Sequence, residues 1–239
     1  MAIETKTITY EFAGKAFDAV VAYDDEADGP QPGVMICHAW GGRKGHEEAT
    51  ALAIAEMGYV GFAADIYGVG VRGETTEECQ ALMTPLVEDE AERHGRLAAA
   101  LTAMKGLDEV ESDQTAVIGY CFGGLCALDM ARINAKILGA VAFHAIIKNQ
   151  GVVANDPIKP KVIAYQGYDD PMSPPEDLKA FSDEMTERNA DWQLVTFGGV
   201  KHAFTNVEAN NPDLGTIYNE GAARRSWVSF TNFLEELFV

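Results

Sequence analysis

The sequence predicts an α/β protein in which a mostly parallel, twisted β-sheet is covered by helices on both faces. Short apolar runs alternate with helical patterns along most of the 239 residues. The runs at residues 33–38 (GVMICH) and 59–65 (YVGFAAD) lack regular polar alternation, as expected for strands buried on both faces. No repeat, low-complexity tract or linker interrupts this order, so we expect residues 1–239 to form a single domain.

The predicted elements have recognisable boundaries. Residues 6–12 and 15–23 alternate loosely around Ala13-Gly14, which predicts an antiparallel strand pair. Further strands are predicted at residues 33–38, 59–65, 115–120, 137–144, 161–166 and 192–197. Helices are predicted at residues 47–57, 75–86, 88–105, 123–133, 175–189 and 220–238. Gly58 and Gly106 follow the first and the third of these helices, as helix-ending residues do.

The charge of the chain excludes two classes of partner. A formal net charge of −19 and a pI near 4.5 argue against binding to nucleic acid or to an anionic membrane. The first residues show no signal peptide, and the longest apolar run, residues 137–147, is too short to span a bilayer. We therefore expect a cytoplasmic protein. Nothing in the sequence indicates its oligomeric state.

The cysteines do not suggest a metal or disulfide framework. The chain has four cysteines, and none forms a CxxC spacing: Cys37, Cys79, Cys121 and Cys126. We therefore expect no metal and no cofactor. In a reducing cytoplasm these thiols stay free to react.

Reactive side chains follow the predicted strands where sites form in parallel sheets, at the carboxyl ends. In chain order they are Cys121, an aspartate at 169 or 170, and His202. The sequence G-x-C-x-G-G around Cys121, between a strand and a helix, has the form of a nucleophile elbow with cysteine in place of serine. The alternative is that Cys121 is a small buried side chain in a glycine-rich turn, and that His202 is a surface loop residue.

Five stretches together resemble the dienelactone hydrolase family, a cysteine branch of the α/β-hydrolase fold. They are VMICHAWGG, GYVGFAADIYG, IGYCFGG, YQGYDDPMSP and GVKHAFTN. The resemblance covers nearly the whole chain. It implies a Cys-His-Asp triad and the hydrolysis of esters or lactones through a thioester intermediate.

The acid of the triad lies in a pair of neighbouring aspartates. The segment at residues 167–171 is similar to a G-x-x-D-P pattern, which Asp170 fits. We therefore expect Asp170 to orient His202, and Asp169 to be a solvated loop carboxylate.

The loop after the strand at residues 33–38 is expected to complete the site. The oxyanion hole of this fold combines the N–H that follows the nucleophile, here that of Phe122, with an N–H of this loop. The resemblance assigns the second donor to Ala39. His38 and Trp40 are candidates for substrate contacts. His38 stands where family members carry a glutamate, and its alternative role is a structural histidine bonded to the backbone.

The absence of an arginine close after His202 bears on the charge of the substrate. The resemblance implies an arginine a few residues beyond the catalytic histidine, but residues 203–207 contain none and offer Asn206 instead. Arg72 is the remaining candidate for an anion contact, or else a surface charge. We therefore expect a small neutral or singly charged ester or lactone as substrate. His144 could line the pocket, although a core histidine is the favoured interpretation.

Two other functions remain open at the level of the sequence. The same fold could serve a non-catalytic ligand-binding protein in which Cys121 senses redox state. It could also serve an acyltransferase, because the first half of the reaction is shared with hydrolysis.

Overall fold

The structure is a computed structural model that describes residues 2–152 and 154–238. Its strands are β1 (Ile3–Phe12), β2 (Lys15–Asp24), β3 (Gln31–Cys37), β4 (Val60–Ala64), β5 (Val110–Tyr120), β6 (Gly139–Phe143), β7 (Lys161–Gly167), β8 (Trp192–Phe197), β9 (Asn210–Asn211) and β10 (Thr216–Ile217). Its helices are α1 (Gly45–Ala55), α2 (Thr76–Glu88), α3 (Glu90–Lys105), α4 (Phe122–Arg132), α5 (Pro175–Glu187) and α6 (Glu220–Leu237).

Eight strands form one mixed sheet in the order β1-β2-β4-β3-β5-β6-β7-β8. The first two strands form the predicted antiparallel hairpin, and β2 also runs antiparallel to β4. All other neighbours in this sheet pair in parallel. The carboxyl ends of β3, β5, β6, β7 and β8 therefore meet at one edge, where the predicted reactive residues lie.

The two faces of the sheet carry separate hydrophobic cores. Along β5, Val117 packs in the core that contains Leu125 of α4. The next residue, Ile118, packs in the opposite core with Ile54 of α1 and Phe230 of α6. Because successive strand residues point to opposite faces, these contacts show helices on both sides of the sheet, as predicted.

The predicted elements are all present, and the largest boundary error concerns β5. This strand begins at Val110, five residues before the expected position 115. Residues 111–113 are exposed and polar, so their sequence shows no buried run although they continue the strand. The register between β3 and β5 shifts between Pro32 and Gly33, where the strand enters the buried part of the sheet.

The remaining differences are small. Helix α1 runs two residues earlier than predicted, and the short antiparallel pair β9–β10 was not predicted. None of the helices within the described ranges has the length and apolar composition needed to cross a membrane.

Candidate active site

Cys121 lies at the turn between the central strand β5 and helix α4. Its backbone has φ +55° and ψ −114°, a conformation that side-chain-bearing residues rarely adopt. A Cβ atom on Gly119 would lie 2.0 Å from the carbonyl oxygen of Gly123. A Cβ on Gly123 would lie 2.1 Å from the carbonyl oxygen of Cys37. The two glycines are therefore required by close backbone approach, and the motif forms a strained elbow.

The four thiols differ in their exposure. Cys121 is half-buried, whereas Cys37, Cys79 and Cys126 are buried. Burial raises the pKa of the Cys37 thiol to about 12 and the pKa of Cys126 well above its usual range. The two thiols buried in the sheet core are therefore protonated at neutral pH, and Cys121 is the best placed to react.

His202 and Asp170 form a buried pair. Nδ1 of His202 lies 2.7 Å from Oδ2 of Asp170, and both residues are 2% exposed. The other carboxylate oxygen of Asp170 accepts a hydrogen bond from the backbone N–H of Met172 at 2.8 Å. Asp169 is exposed. Of the two neighbouring aspartates, Asp170 is thus the one that contacts the histidine.

The charge of His202 is set by opposing effects. Burial disfavours the imidazolium, but the electrostatic interaction with Cys121 and the hydrogen bond to Asp170 outweigh it and raise the pKa of His202 to about 10. Nε2 of His202 is buried, and a hydrogen bond between the His202 and Cys121 side chains is among the causes that raise the pKa of the ring. The ring is therefore protonated at neutral pH beside the thiol, and Nε2 is available to a reacting group.

A small hairpin fixes the backbone of His202. Its N–H donates to the carbonyl of Gly215 at 3.0 Å, and its carbonyl accepts from the N–H of Ile217 at 3.0 Å. Gly215 and Ile217 belong to the turn and strand of the β9–β10 pair. His202 is thus held by a peripheral loop, whereas Cys121 is held by the central strand.

His38 lies inside the protein and is bonded only to the backbone. Its Nδ1 lies 2.7 Å from the carbonyl oxygen of Ala39, and its Nε2 accepts from the N–H of Ile66 at 3.2 Å. Burial lowers the pKa of His38 to about 4. The ring is fully buried and neutral, and both nitrogens are occupied. These contacts support the structural role of His38 and leave neither ring nitrogen for a substrate.

Glu47, which the sequence analysis did not single out, holds the loop that follows His38. Its Oε1 accepts from the N–H of Ala39 at 3.2 Å, and its Oε2 accepts from the N–H of Lys44 at 2.9 Å. The side chain is 3% exposed. The available signal was a glutamate in the first turn of a helix, where it can cap the preceding residue.

Glu47 therefore occupies the N–H that was predicted to be the second oxyanion donor. In the described part of the chain, the N–H groups of Trp40 and Phe122 have no protein acceptor. The Trp40 carbonyl is fixed by the hydroxyl of Tyr67, which donates to it at 2.9 Å. The loop is thus held by hydrogen bonds at the Ala39 N–H and at the Trp40 carbonyl. The Trp40 N–H stays available.

Arg72 and Asn206, the two residues considered for substrate contacts, are both bonded within the protein. Arg72 lies 3.5 Å from Oδ1 of Asp65 and 3.8 Å from Oδ1 of Asp18, so its charge is balanced by two carboxylates. The side-chain oxygen of Asn206 accepts from the N–H of Glu208 at 3.0 Å and stabilises a turn. Neither residue supplies an unpaired cation to a substrate.

His144 lies beside the His202–Asp170 pair. It is 3% exposed, and its ring centroid lies 5.1 Å from that of His202 at an interplanar angle of 70°. Its Nε2 lies 2.7 Å from the hydroxyl oxygen of Thr205. The sequence favours a core histidine at this position over a residue that lines the pocket. The structure shows a buried histidine whose ring packs against the ring of His202.

Comparison with known proteins shows which chains this one resembles. The sequence model of the Dienelactone hydrolase family matches residues 17–238. A solved dienelactone hydrolase-like promiscuous phosphotriesterase from metagenomic libraries has a TM-score of 0.94 and 29% identity, with 100% of both chains covered. The solved structure named m3DLH has a TM-score of 0.92 and 30% identity, also with 100% of both chains covered.

A sequence relative is similar over almost its full length. This protein of Bradyrhizobium, named probable 2-oxo-3-(5-oxofuran-2-ylidene)propanoate lactonase, is 23% identical over 238 residues. The match covers 95% of this chain and 93% of the relative.

Proposed function

The chain belongs to the dienelactone hydrolase family and is a hydrolase of esters or lactones, and we propose that it cleaves a small neutral or singly charged substrate through a thioester on Cys121. The observation that carries this proposal is the buried His202–Asp170 pair, whose protonated imidazole lies beside a strained, half-buried thiol. A nucleophile, a base and an orienting acid in this relation suffice for acyl transfer.

In the first step the Cys121 thiolate attacks the carbonyl carbon. A C–S bond forms, and the carbonyl π electrons move onto the oxygen. The N–H of Phe122 at the start of α4 and one loop N–H stabilise that oxyanion. In this proposal the second donor is Trp40 rather than Ala39, because Glu47 already accepts from the Ala39 N–H.

In the second step the tetrahedral intermediate collapses. The C–O bond to the leaving group breaks, and His202 transfers its Nε2 proton to the departing alkoxide. Asp170 keeps the remaining proton on Nδ1 and stabilises the charged form of the ring before and after this transfer. The products are an alcohol and an acyl group bound to Cys121.

In the last step water hydrolyses the thioester. Neutral His202 accepts a proton from water at Nε2 while the hydroxyl oxygen attacks the acyl carbon. The C–S bond then breaks and restores the thiolate–imidazolium pair. An acceptor alcohol or thiol in place of water would make the same site an acyltransferase.

The charges near the site support a neutral or singly charged substrate. Arg72 is paired with Asp65 and Asp18, and Asn206 is engaged in a turn, so neither offers a salt bridge to a substrate carboxylate. The net charge of −19 adds a repulsive background for anions at low salt.

A second candidate activity follows from the most similar structure described above. That protein is a promiscuous phosphotriesterase at 29% identity and a TM-score of 0.94. A phosphotriester carries no net charge, so it suits a site where the candidate arginine, Arg72, is already paired. We include it as a side activity of the same Cys121 nucleophile.

The proposal is tested with a panel of neutral esters, lactones and one phosphotriester, followed by intact-mass detection. We expect turnover of several neutral esters and a transient acyl adduct on Cys121. Cys121→Ala should show neither turnover nor adduct, whereas Cys79→Ala, a buried thiol, should keep both. Turnover by Cys121→Ala at the wild-type rate would refute the thioester mechanism. A folded protein that binds these compounds without turning them over would support the non-catalytic reading.

A further inference from the structure

The environment of the base contains a second histidine whose backbone is strained. His144 directly follows β6 and has φ +37°, which is unusual for a residue with a side chain. Such residues persist where the surrounding structure fixes them, and they concentrate at functional sites. Here the strained residue is also buried and packs its ring against His202.

A hydrogen bond joins this histidine to the loop that carries the base. Nε2 of His144 and the Thr205 hydroxyl oxygen are 2.7 Å apart, and 61 residues separate them in the sequence. Thr205 is three residues beyond His202. The bond therefore connects the end of a core strand to a loop that is otherwise fixed by the small β9–β10 hairpin.

Ring contacts join His144 to His202 as well. The His144 ring meets the rings of His202 and Phe204 edge to face, at centroid distances of 5.1 and 5.2 Å. Burial, and then the positive charge of His202, lower the pKa of His144 well below its usual range. His144 is thus neutral, and it packs against the imidazolium without a like-charge repulsion.

We propose that His144 is a positioning residue, which through its ring and its Thr205 bond keeps His202 oriented so that Nε2 faces Cys121. The inference rests on the proposed function, since it assigns His144 a role in that reaction. His144 itself makes no bond to the reacting atoms. The hydrogen bond to Asp170 fixes one nitrogen of His202 but leaves the ring free to tilt about that contact. The packed ring and the anchored loop remove that freedom.

The test uses a double-mutant cycle on the His144–Thr205 pair. His144→Phe keeps a ring and removes the hydrogen bond, and Thr205→Val removes the hydroxyl from the other side. We expect each to lower kcat about tenfold with KM unchanged, because neither side chain is proposed to contact substrate. The double variant should lose no more than either single variant, because all three lack the same bond. Thr205→Ser should retain the wild-type kcat.

A second measurement follows the thiol without any ester. The iodoacetamide alkylation rate of Cys121 is recorded against pH. In the proposed site His202 activates this thiol. In Thr205→Val and His144→Phe the alkylation rate at neutral pH should fall, because a displaced His202 no longer faces Cys121. Ser229→Ala, which removes a hydroxyl bonded to Tyr165 at 2.9 Å, should leave the profile unchanged.

Three results would overturn the inference. One is a wild-type kcat and alkylation profile in Thr205→Val. Another is strictly additive losses in the double variant. The last is an equal change in Ser229→Ala, which would indicate a general loss of stability. If His144→Phe fails to fold, Thr205→Val and Thr205→Ser test the positioning role by themselves. A shifted alkylation profile without any ester turnover would defeat the proposed function and leave the positioning role intact.

Discussion

The replacement of Asp170 by asparagine is the sharpest test of the triad, because it removes a charge and keeps the size of the side chain. The carboxylate accepts from His202 Nδ1 at 2.7 Å and from the Met172 N–H at 2.8 Å. An amide has one oxygen for these two donors. If that oxygen stays with Met172, the amide N–H group faces Nδ1, and His202 must carry its proton on Nε2.

We expect either orientation of the new amide to weaken catalysis. If the amide oxygen stays with Met172, Nε2 is protonated in the neutral ring and cannot accept a proton from water. If the oxygen instead faces His202, the Met172 N–H loses its acceptor, and the imidazolium faces a neutral oxygen instead of a carboxylate. The same substitution in a serine protease triad lowers kcat by about 10⁴, which corresponds to about 5.5 kcal/mol in the barrier. We expect a loss of about 10²- to 10⁴-fold here, because a thiol ionises more readily than a hydroxyl.

The assay is the turnover of a neutral ester at saturating concentration. Asp169→Asn is the matched control, because it removes the same charge from the exposed neighbour. We expect the control to stay within about twofold of the wild type, as surface substitutions do. A wild-type kcat in Asp170→Asn, or an equal loss in Asp169→Asn, would refute the assignment of the acid.

Four further outcomes are expected. Iodoacetamide should label Cys121 fastest of the four thiols and abolish activity at one equivalent, which peptide mass mapping checks; labelling of another thiol with the same loss would contradict it. Glu47→Ala removes two hydrogen bonds from the loop, so kcat should fall about tenfold and urea unfolding should show a loss of about 1–3 kcal/mol; an unchanged kcat would show that the loop needs no such anchor. Burial lowers the pKa of His38 to about 4 in the native state, so on acidification the unfolded chain binds a proton at this residue near pH 6.5, before the native state does. The contribution of His38 to the free energy of unfolding should therefore decrease by about 2 kcal/mol between pH 7 and 5. His38→Asn should show a smaller decrease over the same range. Asn206→Arg should raise the kcat/KM for a carboxylated lactone relative to a neutral ester of equal size, by about 10- to 100-fold; if the wild type already prefers the carboxylated lactone, another cation holds it.

The sequence was sufficient to predict the fold and to select Cys121, Asp170 and His202 as a candidate triad. Buried runs in parallel strands are almost wholly apolar, and the elbow at Cys121 demands glycines at fixed positions, so both leave a local pattern. The choice between Asp169 and Asp170 also followed a local pattern, and the structure places only Asp170 in contact with His202.

The features that the sequence did not reveal depend on contacts between distant segments. The extension of β5 from Val110 is polar and exposed, so it is recognised as a strand only by its pairing with β3. Glu47 resembles any helix-starting glutamate until its bond to Ala39 is seen. His144 lies 58 residues from His202 in the sequence, and no local periodicity could place one ring against the other.

The unequal anchoring of nucleophile and base has a consequence for how this protein fails on heating. Cys121 is fixed by the central strand, whose hydrogen bonds break only with the sheet itself. The backbone of His202 is held by a two-residue strand pair and a few bonds at the periphery, and such elements open at a lower free energy than a sheet core. We therefore expect turnover to be lost on heating before the sheet unfolds. Stiffening that hairpin should extend the working range more than a change in the core would.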